Sequence, residues 1–77
     1  MSARPVKHSV TLRGHRTSIS LEDDFWRELR QIAEEKGQPI NALVAEIDAA
    51  RGVEAGLASA IRVYVLRTLR ERLPARD

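Results

Sequence analysis

The chain has 77 residues, no cysteine, 31% charged residues and a formal net charge of +2. This length corresponds to one small domain, and the absence of cysteine excludes disulfides and thiolate metal sites. No apolar run approaches the roughly 18 residues of a membrane span, and the N-terminal stretch lacks the apolar segment of a signal peptide, so we expect a cytoplasmic protein with no membrane partner.

Charge is segregated along the chain. Residues 1–16 carry a net charge of +4, residues 17–50 carry −5, and residues 51–77 carry +3. Basic ends around an acidic middle are typical of a molecule with one surface that faces a polyanion. The only histidines are His8 and His15, and neither has a carboxylate or cysteine partner at metal-ligand spacing, so we expect no metal and no other cofactor.

Residues 1–15 are predicted to form a flexible basic arm. Residues 6–12 alternate weakly, which fits either a strand or an arm that orders on binding, and Gly14 then marks a turn. The basic residues of this arm are predicted to contact phosphates through their charge. They are Arg4, Lys7 and Arg13.

A short polar strand is predicted over residues 16–21. Because strand side chains alternate, one face carries Thr17, Ile19 and Leu21, and the other carries Arg16, Ser18 and Ser20. Nothing downstream offers a strand partner, so we expect the same strand of a second copy to pair with it. The result is a homodimer with a two-stranded ribbon of a size that enters a DNA major groove. Ser20 has an alternative role, since residues 20–23 are similar to a helix capping box.

Three helices are predicted after the strand, over about residues 22–36, 39–51 and 57–73. Apolar residues recur at helical spacing in each of them, and Gly37 and Pro39 suit a helix end and a helix start. Pro74 ends the third helix and leaves residues 74–77 as a tail. The apolar stripe of the third helix is Leu57, Ile61, Val65, Leu69 and Leu73, with Tyr64 and Leu66 beside it.

The chain resembles the ribbon-helix-helix DNA-binding proteins, the class that includes the Arc, Met and plasmid copy-number repressors. The resemblance covers residues 16–51 and rests on the polar-faced strand, the spacing of the first helix, and the segment 33–41. Residues 14–18 and the pair Phe25-Trp26 are similar to a bacterial subgroup with a longer C-terminal part. The implied fold is mostly α with one short β-strand, an intertwined homodimer with a two-stranded antiparallel ribbon and an additional C-terminal helix, built from residues 16–73.

The resemblance also implies residue roles. The outward strand residues Arg16, Ser18 and Ser20 match the positions that meet base edges. The start of the second helix, at Ile40 and Asn41, matches the place where backbone N–H groups hold a phosphate. Many members have Ser or Thr at the cap, whereas this chain has Gln38-Pro39. The residues implied to form the dimer core are Thr17, Ile19, Leu21, Phe25, Trp26, Leu29, Ile32, Ile40 and Val44.

The position of the second helix has an alternative in the sequence. Residues 56–62 also resemble the second-helix start of copy-number-type members, which would move the phosphate contact to residues 57–59.

The functional prediction is a nucleoid-associated transcription regulator that represses by binding duplex DNA, with no catalytic constellation. The alternative is an antitoxin-like adaptor that dimerises and binds a protein partner through its third helix.

Overall fold

A computed structural model of the protein describes residues 4–51 and 56–74. Two strands, β1 (Pro5–Leu12) and β2 (His15–Glu22), form an antiparallel hairpin. Three helices follow, α1 (Asp23–Glu35), α2 (Ile40–Ala50) and α3 (Leu57–Glu71). The two-stranded ribbon, the helices after it and the additional C-terminal helix confirm the predicted ribbon-helix-helix fold, whereas the intertwined homodimer stays a prediction. The three predicted helices are present, with ends that differ by one or two residues.

The partner of β2 is a correction to the sequence prediction. One strand was expected, paired with a second copy, but the structure shows two strands paired within one chain. The turn between them has two residues, Arg13 with φ 51° and Gly14 with φ 82°. Two successive residues with positive φ give a turn whose twist matches that of the flanking strands. Of the alternatives for residues 6–12, a strand or an arm, the structure therefore shows the strand.

The hydrophobic core closes within a single chain. The inner face of the hairpin lies on the helices, with α2 against β1, and α1 and α3 against β2. The residues predicted for a shared dimer core are buried or half-buried inside one chain, except Thr17, which is exposed. The largest fully buried side chains are Leu21, Leu29, Ile32, Leu43, Val44, Ile61 and Val65.

The two ends of α1 show which of the capping signals in the sequence are used in the fold. Gly37 has φ 68°, and the N–H groups of Gly37 and Gln38 donate to the carbonyls of Glu34 and Ala33 at 3.0 and 2.9 Å. These two bonds satisfy carbonyls at the end of α1 in the Schellman arrangement, as a glycine just after a helix predicts. The capping role considered for Ser20 is wrong, because Glu22 is the N-cap of α1 and no side chain caps it.

The apolar stripe of α3 differs from its prediction at two places. Ile61 and Val65 are buried, but Leu66 is 54% exposed and Leu73, which lies beyond the end of α3, is 60% exposed. α3 therefore packs on the core through one face, which includes Ile61, Val65 and the partly buried Leu69, and leaves Leu66 in solvent.

Candidate nucleic-acid interface

The outward face of the hairpin is polar over its whole length. Because directly paired residues of antiparallel strands share a face, the register places Lys7 beside Ser20, Ser9 beside Ser18 and Thr11 beside Arg16. All six side chains are exposed. The structure thus brings the predicted base-contacting residues Arg16, Ser18 and Ser20 onto one surface with Lys7. Sequence reasoning missed Ser9 and Thr11, which a two-residue turn at Arg13-Gly14 would have placed on this face.

Cations surround this face. Arg4 precedes β1 and Arg13 lies in the turn, and both are exposed. The hairpin carries a single acidic residue, Glu22, at the end of β2. Hydroxyl groups that donate and accept, together with ammonium and guanidinium groups that only donate, are suited to base edges and phosphates.

Glu22 is held away from the face by Arg62 of α3. The Arg62 Nε donates to Glu22 Oε1 at 2.8 Å, and a terminal guanidinium nitrogen of Arg62 donates to Oε2 at 3.2 Å. This hydrogen bonding, with the positive charge of Arg62, lowers the pKa of Glu22 below its ordinary value. The pair joins the last residue of β2 to α3 and balances the acid that lies nearest to the outward face.

His8 and Trp26 fix the hairpin on α1. His8 lies on the inner face of β1, and its ring stacks on the Trp26 ring with centroids 4.2 Å apart and planes inclined by 10°. The His8 Nε2 is 3.5 Å from Asp23 Oδ1. These contacts hold the inner face of the hairpin against α1, so its outward face is left in solvent.

The start of α2 lies beside the outer edge of β1. The Asn41 Oδ1 accepts a hydrogen bond from the backbone N–H of Thr11 at 3.2 Å. The N–H groups of Ala42 and Leu43 donate to the Pro39 carbonyl, whereas the N–H groups of Ile40 and Asn41, at the first two positions, have no intrahelical acceptor. The predicted phosphate-contacting residues Ile40 and Asn41 are therefore close to the polar face.

The second edge of β2, the one that faces away from β1, is bordered by a groove. Within residues 4–51 and 56–74, β1 is the only strand that pairs with β2. The groove is lined by β2 residues that include Thr17 and Ile19, and by Leu57 and Ala58 at the start of α3. Of the alternative phosphate position, residues 57–59, Leu57 and Ala58 line this groove.

Comparison with known proteins gave one match. A family model described as a ribbon-helix-helix domain matches residues 5–69, from the first residue of β1 to near the end of α3. No curated protein and no solved structure matches the chain. In the part of the chain that the structure describes, no helix is long and apolar enough to cross a membrane, and no group of metal-ligating side chains could hold an ion. The hairpin and the helices thus fall within one family domain.

Proposed function

Because the chain belongs to the ribbon-helix-helix domain family, a family of DNA-binding transcription regulators, we propose that it is a homodimeric repressor that reads a specific duplex sequence. Members of such a family act by binding rather than by catalysis. The observation that carries the proposal is the outward face of the hairpin, which combines Arg16, Ser18 and Ser20 with Lys7 on one exposed surface.

The dimer would form through the second edge of β2. Pairing of β2 with its copy gives a four-stranded sheet in which both β2 strands are central and both β1 strands are outer. Thr17, which is exposed beside this edge, would then be covered by the partner. A two-fold dimer of this kind recognises a pseudo-palindromic site or two neighbouring half-sites.

The width of such a sheet separates base reading from phosphate binding. Strands about 4.8 Å apart place the outer axes of four strands about 14 Å apart, which exceeds the major-groove width of about 12 Å. The central strands therefore enter the groove, and the outer strands lie against its walls. Arg16, Ser18 and Ser20 of β2 meet base edges, and Lys7 of β1 meets phosphates.

Two further groups of residues support phosphate binding at the margins of this face. Arg4 and Arg13 lie at the two ends of β1 and add positive charge there. The free N–H groups of Ile40 and Asn41 begin α2 beside the outer edge of β1. A helix start binds a phosphate through such N–H groups and through the helix dipole.

The test is the Arg16→Ala variant on a site selected from random duplexes. A guanidinium that donates two hydrogen bonds to guanine contributes about 1–3 kcal/mol, so affinity should fall roughly 5- to 150-fold. Arg30→Ala is the matched control, because Arg30 is also exposed but lies on α1 and not on the hairpin. If Arg16→Ala binds the selected site as tightly as the parent protein, Arg16 does not read bases.

A further inference from the structure

We propose that Arg62 of α3 is a positioning residue for DNA binding, which keeps the carboxylate of Glu22 from repelling phosphates at the end of β2. The inference rests on the proposed function, and it makes the additional C-terminal helix a part of the chain on which DNA affinity depends. Arg62 has this role without contact with DNA, because it acts through Glu22.

Glu22 lies on the side of β2 that is proposed to read bases. Because strand side chains alternate, Glu22 continues the outward series that begins at Arg16, and it lies about 7 Å beyond Ser20 along the strand. It is the only acid of the hairpin. A carboxylate without a partner at this position would repel the phosphates that border a major groove and would weaken binding to every duplex.

The contacts of Arg62 direct this carboxylate toward α3. The Arg62 Nε and a terminal guanidinium nitrogen donate to Glu22 Oε1 and Oε2 at 2.8 and 3.2 Å, so both carboxylate oxygens accept a hydrogen bond. The Arg62 Cζ lies 5.9 Å from the centroid of the Phe25 ring on α1, which supports the guanidinium from a second element. The Glu22 side chain is only 19% exposed. Its charge is therefore both balanced and turned away from the polar face.

A direct contact between Arg62 and a phosphate is the competing explanation. The pair of Arg62 with Glu22 has no net charge, so it does not attract an anion. Two of the guanidinium nitrogens already donate to Glu22, and the Arg62 side chain is 32% exposed. A phosphate that took Arg62 from Glu22 would leave the freed carboxylate beside itself, and like charges in contact are unfavourable. The structure therefore favours the indirect role.

The experiment is a double-mutant cycle on the full chain, with a duplex selected by the parent protein as the probe. The salt concentration is about 0.15 M, at which exposed charges more than about 8 Å apart are largely screened. Arg62→Gln leaves a carboxylate without its partner in each chain of the dimer, so affinity should fall about tenfold. Glu22→Gln and the double variant should bind at least as tightly as the parent and within about twofold of each other, because Arg62 has no such role once the acid is absent.

Two controls separate this role from general charge and from stability. Arg70→Gln removes the same charge from α3 about 12 Å farther along the helix, and it should leave affinity within about twofold of the parent. Urea unfolding should show a lower free energy of unfolding for all three variants of the cycle, since each loses the ion pair. DNA affinity should fall in Arg62→Gln alone, and a merely structural role of Arg62 would not separate affinity from stability in this way.

The proposal is overturned if Arg62→Gln binds the duplex as tightly as the parent, or if Arg70→Gln weakens binding equally. An equal loss from Arg62→Gln with and without Glu22 would instead assign Arg62 a direct phosphate contact. A changed preferred sequence for Glu22→Gln would show that Glu22 reads a base. The proposed function fails in a different way, because the parent then selects no duplex or Arg16→Ala binds as tightly as the parent.

Discussion

The packing of the hairpin on the helices predicts that two valines of β1 contribute unequally to the free energy of unfolding. Val10 and Val6 lie on the same inner face, but Val10 is 3% exposed and Val6 is 43% exposed. Truncation of a buried valine to alanine removes two carbon groups at about 0.8 kcal/mol each and leaves a small cavity, so Val10→Ala should cost about 1.5–2.5 kcal/mol. Val6→Ala should cost about 0.5–1 kcal/mol, because about half of its surface is already in water. Both variants lose the same strand propensity, so the difference isolates burial.

Urea unfolding monitored by the fluorescence of Trp26 measures both variants. Trp26 is the only tryptophan and stacks on His8 of β1, so its signal reports on the hairpin as well as on α1. With a slope of about 1 kcal/mol per molar urea for a domain of this size, the midpoint of Val10→Ala should fall by about 1.5–2.5 M. Samples must have equal protein concentration, since dimerisation would add stability. Equal losses for the two valines would refute the packing of β1 on the helices.

Two further variants test the charges of the hairpin. Lys7→Gln should leave the preferred DNA site unchanged but make the slope of log affinity against log salt shallower by about 1.8 for a dimer, at about 0.9 for each phosphate contact; an unchanged slope would remove Lys7 from the phosphate-binding residues. Glu22→Gln tests the pair with Arg62. Because the pKa of Glu22 is lowered in the folded protein, the pair stabilises the fold above the ordinary carboxyl pKa of about 4.3, and this contribution is lost as the pH falls through the lowered value. The parent should therefore be more stable than Glu22→Gln at neutral pH, and the difference in unfolding free energy should vanish in strong acid. A difference that is constant with pH would contradict the role of the charge.

Local signals were sufficient to predict the helices and the faces of β2. These signals each depend on residues only a few positions apart, so they can be recognised in the sequence without knowledge of the fold. They are the acidic first turn of α1, its apolar periodicity and Gly37. The strand that pairs with β2 was not predicted from local signals. The hairpin turn places Arg13 at positive φ, and arginine is not a residue type that marks this conformation in a sequence.

No pattern in the sequence indicates the contacts between residues that are far apart along the chain. Arg62 and Glu22 are 40 residues apart, and only the placement of α3 beside the end of β2 brings them together. The stacking of His8 on Trp26 likewise depends on the hairpin, because β1 must fold back onto α1. The predicted site residues of β2 needed only strand alternation, whereas Ser9 and Thr11 needed the register as well.

The hydrogen bond from Thr11 to Asn41 protects part of one edge of the sheet. A sheet edge with free N–H and C=O groups is a template for further strands, and a two-stranded sheet has two such edges. At Thr11 the outward N–H of β1 already donates to Asn41 of α2, so an added strand would have to displace this bond in order to pair there. The start of α2 therefore lowers the tendency of β1 to recruit a further strand at the turn end of the hairpin.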